Sequence, residues 1–172
     1  MLVIFGGLPA TGKTTIARAL AARIGAVYLR IDTIEQAMRD GLRFTGDMGP
    51  AGYEVAQAVA ADNLRAGSAV VADSVNPIEI TRRAWREVAV AASSPFLEIE
   101  VVCSDPSEHR RRVEMRVNDI PGLKLPTWGQ VVGREYKTWR SANLILDTAV
   151  LSAAECVETA LASVIAARRG TS

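Results

Sequence analysis

The chain has 172 residues, 49% of them hydrophobic, and a formal net charge of +1 at pH 7. That length suits one domain with a substantial core, and the near-neutral charge excludes a general attraction to nucleic acid or acidic membranes. Cys103 and Cys156 lie far apart without a C-x-x-C motif, which argues against a disulfide framework or a zinc site. We expect a cytoplasmic protein with no signal peptide and no membrane span, because no window approaches about 18 uninterrupted apolar residues.

Short apolar runs alternate with longer segments of helical periodicity. The runs predict strands at 2–6, 27–31, 69–72, 96–102 and 144–147. The longer segments predict helices at 13–24, 33–41, 51–66, 77–92, 106–117, 128–140 and 152–168. This alternation predicts an α/β fold in which helices cover both faces of a parallel sheet. Two segments rich in Gly and Pro, 42–50 and 118–127, are predicted to be mobile loops, and residues 168–172 are predicted to fray.

The first predicted strand leads into a match to G-x-x-x-x-G-K-[ST], the phosphate-binding P-loop pattern. The matching residues are Gly7, Leu8, Pro9, Ala10, Thr11, Gly12, Lys13 and Thr14. The glycines allow positive φ, so successive N–H groups and the start of the next helix can face an anion. Lys13 can reach the β- and γ-phosphates, the Thr14 hydroxyl can bind Mg²⁺, and Thr15 adds a second hydroxyl. The pattern therefore predicts nucleotide binding.

The second predicted strand ends at Asp32. In open parallel sheets ligands bind beyond the carboxyl ends of the strands, so this carboxylate would lie beside the P-loop. There it could accept a proton from a substrate hydroxyl. The residues from Asp32 to Glu35 also fit a capping box for the helix that follows. The spacing leaves both interpretations open.

The third predicted strand is closed by Asp73. An apolar strand that ends in aspartate is typical of the second nucleotide-site element, whose carboxylate faces Mg²⁺ directly or through water. Asn76, followed by Pro77, fits a helix N-cap and first turn. The pattern favours a functional role for Asp73 and a capping role for Asn76.

The fourth predicted strand is followed by a helix rich in arginine. Asp105 with Pro106 predicts its N-cap. Arg112 and Arg116 lie four residues apart and would share a helix face beside a mobile loop. Such a pair can neutralise charge that develops on γ-phosphoryl oxygens, although a solvated basic face is the alternative. His109, the single histidine, is predicted to be solvated rather than a ligand or a base.

The fifth predicted strand ends at Asp147 and Thr148. These residues could lie near a nucleotide base, but the pattern assigns them no role. Ser152 and Glu155 then predict a capping box for the last helix.

Taken together, the motifs resemble the small P-loop kinases of the AAA-domain-like group, which includes polynucleotide 5′-kinases, zeta toxins and chloramphenicol phosphotransferase. The residues that carry the resemblance are Gly7–Thr15, Arg30–Thr33, Ala72–Pro77, Arg112–Arg116, Leu125–Trp128 and Arg134–Tyr136. The resemblance implies a single P-loop kinase domain over residues 1–172 with the three-layer P-loop NTPase fold. It implies a five-stranded parallel sheet in the order 2-3-1-4-5, with a small lid at about 112–128.

The same resemblance implies ATP with Mg²⁺ as the phosphoryl donor and a hydroxyl as the acceptor. It makes Asp32 the base or the hydroxyl-orienting carboxylate, and Asp73 a contact to the acceptor or the metal. It gives Asn76 a place in the substrate site as well as a capping role. It places Arg112 and Arg116 in a lid that closes over ATP and excludes water, with 117–127 as its flexible part.

The nature of the acceptor depends on departures from the group's pattern. The polynucleotide kinases carry an arginine three residues after the equivalent of Asp32, where this chain has Glu35. The chain also lacks a basic stripe with interleaved aromatic residues. Both departures favour a small-molecule hydroxyl, on a metabolite, nucleoside or antibiotic, and a monomer or homodimer. The alternatives are a nucleic-acid 5′-hydroxyl kinase and a non-catalytic ATP-binding regulatory module.

Overall fold

A computed structural model describes residues 1–169. Within this range the strands are β1 (Leu2–Gly6), β2 (Val27–Arg30), β3 (Val70–Asp73), β4 (Phe96–Val102) and β5 (Leu144–Asp147). The helices are α1 (Lys13–Ile24), α2 (Ile31–Leu42), α3 (Ala51–Arg65), α4 (Glu79–Ala91), α5 (Pro106–Glu114), α6 (Trp128–Val132) and α7 (Ala153–Arg169). Of the C-terminal segment predicted to fray, 168 and 169 belong to α7, and 170–172 lie outside the described residues.

The strands form one parallel sheet in the order β2-β3-β1-β4-β5, which confirms the predicted order 2-3-1-4-5. β1 is central, and its Leu2 lies opposite Val70 of β3 and Phe96 of β4. All residues of β1 are buried because this strand has a neighbour on each side and helices over each face. The chain therefore leaves the middle of the sheet at Gly6, and the P-loop lies at the centre of the carboxyl edge.

The two faces of the sheet carry separate apolar cores. On one face, α1 and α7 pack against alternate strand residues such as Val3 and Phe5. On the other face, α3 and α4 pack against Leu2 and Ile4, and Trp85 of α4 is completely buried. This alternation along β1 follows from the period of two in a strand and confirms the three-layer architecture.

The predicted helix at 128–140 is wrong beyond its first turns. α6 ends at Val132, and residues 133–143 form an irregular segment that packs against the start of α4. The N–H of Lys137 donates to the Pro77 carbonyl at 2.8 Å, and Trp139 enters the core at 2% exposure. Carbonyls at 137 and 138 accept hydrogen bonds from the buried Arg82 instead of from helix amides. Tertiary contacts therefore replace the helical bonds that the sequence pattern favours.

Two predicted helix starts are also wrong. α2 begins at Ile31 rather than 33, with Arg30 as its N-cap, so Asp32 lies inside the first turn and does not cap it. α4 begins at Glu79 with Ile78 as its N-cap, so Asn76 does not cap that helix. Asn76 instead adopts a left-handed backbone conformation with φ 48°.

The predicted N-caps of α5 and α7 are confirmed. The Asp105 carboxylate accepts from the N–H groups of Ser107 and Glu108 and caps α5, which ends at Glu114 rather than 117. Ser152 and Glu155 exchange the two hydrogen bonds of a capping box at the start of α7. Over residues 1–169, no helix combines the length and apolar character that a membrane crossing requires.

Candidate active site

The P-loop curls between β1 and α1 with the backbone conformations that the motif predicts. Gly7 and Gly12 have φ of 141° and 93°, and Ala10 has φ 65°. The Gly7 N–H donates to the Val75 carbonyl at 3.0 Å, and a Cβ at Gly7 would collide with the Val101 carbonyl. Glycine is therefore required at this position, because β4 passes directly behind the loop.

Three carbonyl groups of the loop accept hydrogen bonds from side chains around it. The Thr11 hydroxyl donates to the Leu8 carbonyl at 3.0 Å, and the Thr148 hydroxyl lies 2.8 Å from the Thr11 carbonyl. Nε2 of His109 lies 2.8 Å from the Pro9 carbonyl. The prediction that His109 is solvated is wrong, because its side chain is buried against the loop. The sequence did not predict that His109 and Thr148 contact the P-loop, because neither contact has a local pattern.

Lys13, at the start of α1, extends beneath the loop to Asp73 at the end of β3. Its ammonium lies 3.1 Å from the Asp73 carboxylate, which also accepts from the Tyr28 hydroxyl at 2.6 Å. Burial would raise the pKa of Asp73, but the Lys13 charge and hydrogen bonds from Tyr28 and Thr14 outweigh it and lower that pKa. Asp73 is therefore an ionised carboxylate next to the Thr14 hydroxyl and the ammonium.

Asp32 lies in the first turn of α2 with 42% of its side chain exposed to the cleft beside the P-loop. Its carboxylate is 3.8 Å from the guanidinium of Arg30. Glu35, one turn further along the helix, also lines the cleft, and burial and the nearby Asp32 raise its pKa. Both acids therefore line the wall beside the P-loop, and Asp32 lies one turn nearer the end of β2.

A salt bridge that the sequence did not predict ties the segment between α5 and α6 to the end of β2. The buried Arg30 donates to both carboxylate oxygens of Asp119 at 2.7 and 3.1 Å. Arg18 of α1 also donates to Asp119 at 3.2 Å. The hydrogen bond from Arg30 is the largest cause that lowers the pKa of Asp119, to about 2. The contact joins residues 89 positions apart, and no local sequence pattern predicts it.

The two arginines predicted to share a helix face occupy different surroundings. Arg112 is in the last turn of α5 and donates to Glu108 and to the hydroxyl and carbonyl of Thr148. Arg116 lies beyond the end of α5, in the irregular segment, and lines the cleft. Arg112 is thus held against the turn after β5, whereas Arg116 lies in the irregular segment that lines the cleft.

Asn76, like the buried Asp73, is a predicted site residue that does not line the cleft surface. Its side chain is completely buried, and its amide donates to the Phe5 carbonyl at 2.9 Å. Its N–H donates to the Tyr53 hydroxyl, and its carbonyl accepts from Arg82. In this arrangement Asn76 supports the end of β1 from behind the P-loop.

These groups surround one cleft of about 1460 Å³. One wall is the P-loop and the start of α1. A second wall is the cleft-facing side of α2 with residues 43–45. The third consists of residues 111, 112 and 115–117 and parts of 119–126. A concave space with a P-loop at one end and a partly exposed carboxylate in its wall has room for a nucleotide beside a second molecule.

The sheet order and the loop after β1 define a P-loop NTPase-like α/β protein. The chain belongs to a family described as AAA domain (AAA_33), whose model matches residues 2–124. This match confirms the resemblance to the AAA-like group that the motifs indicated. The comparison with curated proteins gives no significant match.

Solved structures share the fold across almost the whole chain. A Chloroflexus aurantiacus J-10-fl protein provisionally assigned as a kinase is 21% identical, with a TM-score of 0.76 over 96% of each chain. Chaetomium thermophilum Kti12, solved with ADP-AlF3, is 22% identical, with a TM-score of 0.70 over 97% of this chain and 98% of that one. The Mycobacterium tuberculosis APS kinase CysC, solved with AMPPNP and APS, is 18% identical, with a TM-score of 0.61 over 95% and 96%. At these identities the likeness establishes the fold.

Proposed function

We propose that the protein is an ATP-dependent kinase that transfers the γ-phosphoryl group to a hydroxyl of a small molecule. The observation that carries the proposal is the cleft itself, which has a P-loop at one end and the accessible carboxylate of Asp32 in the adjoining wall. Several proteins of the same fold are described as kinases, which supports this activity. A module that only binds ATP would not need a carboxylate in that position.

The nucleotide half of the site rests on the P-loop from Gly7 to Thr14 and on Thr15 behind it. Its amides and the Lys13 ammonium would bind the β- and γ-phosphates of ATP. The Thr14 hydroxyl and the ionised Asp73 supply neighbouring hard oxygen ligands, which fit Mg²⁺. When bound there, Mg²⁺ would neutralise part of the phosphate charge.

In the acceptor half, Asp32 would orient the substrate hydroxyl and accept its proton as the oxygen attacks the γ-phosphorus. Arg116 would stabilise negative charge on the transferring group, and Arg112 would support the nucleotide from the turn after β5. The segment at about 112–128 would act as the lid that excludes water during transfer. Asn76 contributes by holding the wall of this site rather than by a contact at the cleft surface.

We infer that residues 1–172 form one kinase domain. We also infer that it acts in the cytoplasm, as a monomer or a homodimer. The acceptor is a metabolite, nucleoside or antibiotic rather than nucleic acid. Glu35 supports this choice, because it lines the cleft at the position where the polynucleotide kinases carry an arginine that grips a nucleic-acid phosphate.

The test is a screen of hydroxyl compounds, including 5′-hydroxyl oligonucleotides of several lengths, for acceptor-dependent ADP release in Mg-ATP. With the best acceptor, Asp32→Asn should lower kcat by about 10²–10⁴-fold, the usual contribution of a general base, and leave ATP affinity unchanged. Lys13→Ala should abolish transfer. Asp62→Asn is the matched control, because Asp62 is an exposed acid on α3 with 84% of its side chain accessible, and it should keep full activity.

The outcomes separate the possibilities. Transfer to oligonucleotides alone would establish the nucleic-acid kinase instead. ATP binding without transfer to any acceptor would support a regulatory module. Unchanged turnover in Asp32→Asn would remove Asp32 from the reaction.

A further inference from the structure

His109 occupies an unusual place for a lone histidine. It lies in the middle of α5 with 6% of its surface exposed, between the P-loop on one side and Trp128 on the other. Its ring meets the Trp128 ring edge-to-face, with centroids 5.3 Å apart and an interplanar angle of 83°. This packing holds the imidazole plane, so Nε2 is aimed at the Pro9 carbonyl.

The direction of that hydrogen bond is fixed by chemistry. A carbonyl oxygen only accepts, so Nε2 of His109 carries the proton and donates to Pro9. No peptide bond in the described residues is cis, and in a planar trans peptide the C=O and the next N–H point in opposite directions. When His109 holds the Pro9 carbonyl outwards towards α5, the Ala10 N–H is therefore turned to the opposite, concave side of the loop.

The conformation of Ala10 shows why the hydrogen bond from His109 to the Pro9 carbonyl is useful. Ala10 has φ 65°, in the left-handed region that a residue with a Cβ adopts at a cost. Proline at position 9 offers no N–H of its own to the anion, so the Ala10 amide is the first donor after Leu8. A rotation of the Pro9–Ala10 peptide would relieve Ala10 and remove this donor from the cradle.

We propose that His109 is a positioning residue for polyphosphate, which fixes the Pro9–Ala10 peptide so that the Ala10 amide faces the bound phosphates. The proposal rests on the proposed nucleotide binding. The contact also ties the loop to both ends of the 115–127 segment, because His109 belongs to α5 and Trp128 begins α6. His109 acts through the backbone and does not itself touch the nucleotide.

A second hydrogen bond of the same kind supports this role for α5. Arg112, one turn after His109, donates to the hydroxyl and carbonyl of Thr148. The Thr148 hydroxyl in turn lies 2.8 Å from the Thr11 carbonyl and 3.0 Å from the Val102 carbonyl, and its contact with Thr11 turns the Gly12 N–H inwards by the same geometry. Two consecutive turns of α5 thus control two separate peptides of the P-loop.

The experiment measures binding of ADP with Mg²⁺ by calorimetry for the full chain and three variants. His109→Leu removes the donor at similar size and should weaken binding about tenfold, the effect of one lost charge-assisted hydrogen bond. His109→Gln can place an amide N–H near the position of Nε2 and should stay within about threefold of wild type. Arg110→Gln alters the exposed neighbour on α5 and should bind like wild type.

A spectroscopic readout separates positioning from a general loss of structure. In ¹⁵N NMR of the wild-type protein, the His109 ring should carry its proton on Nε2, and the Ala10 amide should shift when ADP with Mg²⁺ is added. His109→Leu should lose the Ala10 shift while the shifts of other P-loop amides remain. The wild-type measurements still decide the question if that variant fails to fold.

Each result is decisive. Wild-type affinity in a folded His109→Leu, or a neutral ring protonated only on Nδ1, would overturn the role of His109 and leave the proposed function intact. Equal losses in the Leu and Gln variants would also overturn it, because the donor would then not matter. No ADP binding by the wild-type protein would overturn the proposed function, and with it this inference.

Discussion

The Arg82 guanidinium joins two irregular segments that the sequence places far apart. The residue is 1% exposed, and its guanidinium donates to backbone carbonyls at distances from 2.6 to 3.2 Å. The acceptors are the carbonyls of Asn76, Pro77, Lys137 and Thr138. The rings of Tyr136 and Trp139 lie against the guanidinium with centroids 5.3 and 4.8 Å from its central carbon. One side chain therefore anchors residues 133–143 against the turn that supports the P-loop.

Arg82→Met keeps a long apolar stem but removes every donor. The cost is that of breaking a hydrogen-bonded network around a buried guanidinium, about 3–5 kcal/mol, because four carbonyls, one of them in a buried and three in a partly buried hydrogen bond, lose their charged donor. The methionine recovers some apolar packing, and the lost charge no longer has to be desolvated, so a simple sum over four bonds would overstate the loss. For a domain of this size, the melting temperature should fall by about 6–20 °C.

The assay is urea unfolding followed by tryptophan fluorescence, with Arg83→Met as the matched control. Arg83 lies on the same helix, is 68% exposed and pairs only with Glu87 among the contacts of the described residues, so its loss should cost less than about 0.5 kcal/mol. An Arg82→Met protein within about 1 kcal/mol of the Arg83→Met protein would refute the role assigned to the buried guanidinium.

Two further predictions concern carboxylates in and beside the cleft. Tyr28→Phe removes the 2.6 Å hydrogen bond to Asp73 and should cost about 1–2 kcal/mol in urea unfolding, and a change below about 0.3 kcal/mol would contradict it. For Asp119, the folded pKa of about 2 lies below the ordinary 3.8, so its salt bridge to Arg30 stabilises the protein above about pH 4 and is lost as the pH falls towards 2. Carboxyl ¹³C NMR should show that Arg30→Met raises the pKa of Asp119, whereas an unchanged pKa would exclude Arg30 as the cause.

The sheet and the P-loop were predictable because both depend on local signals. Apolar runs of four to seven residues can only be buried strands when helical segments separate them, and their alternation selects a parallel sheet. The P-loop combines glycine conformations with the start of a helix, so eight neighbouring residues are enough to predict where the loop lies and what it binds. The sheet order came from the family resemblance, since strand periodicity does not determine which strands become neighbours.

The remaining features depend on partners that are distant in sequence. His109 looked solvated because arginines surround it along the chain, yet its partner Pro9 lies 100 residues earlier. The pattern at 128–140 favours a helix, but the carbonyls of Lys137 and Thr138 accept hydrogen bonds from Arg82 instead of from helix amides. Capping patterns at Asp32 and Asn76 were overridden in the same way, by a helix that starts earlier and by a completely buried amide.

The contacts of the 115–127 segment indicate how a lid in this position would move. Arg30 of β2 and Arg18 of α1 both bind Asp119 of this segment, and the aspartate is 43% exposed, so it can exchange these partners for water. The base of the segment is different, since His109 is buried between Pro9 and Trp128. Opening of the segment would therefore require loss of the exposed Asp119 contacts and of the packing around the buried Ile120, whereas the contact between His109 and the P-loop would stay in place. Under the proposed kinase activity, this division would let the loop remain preorganised for phosphate while the wall opens for the acceptor.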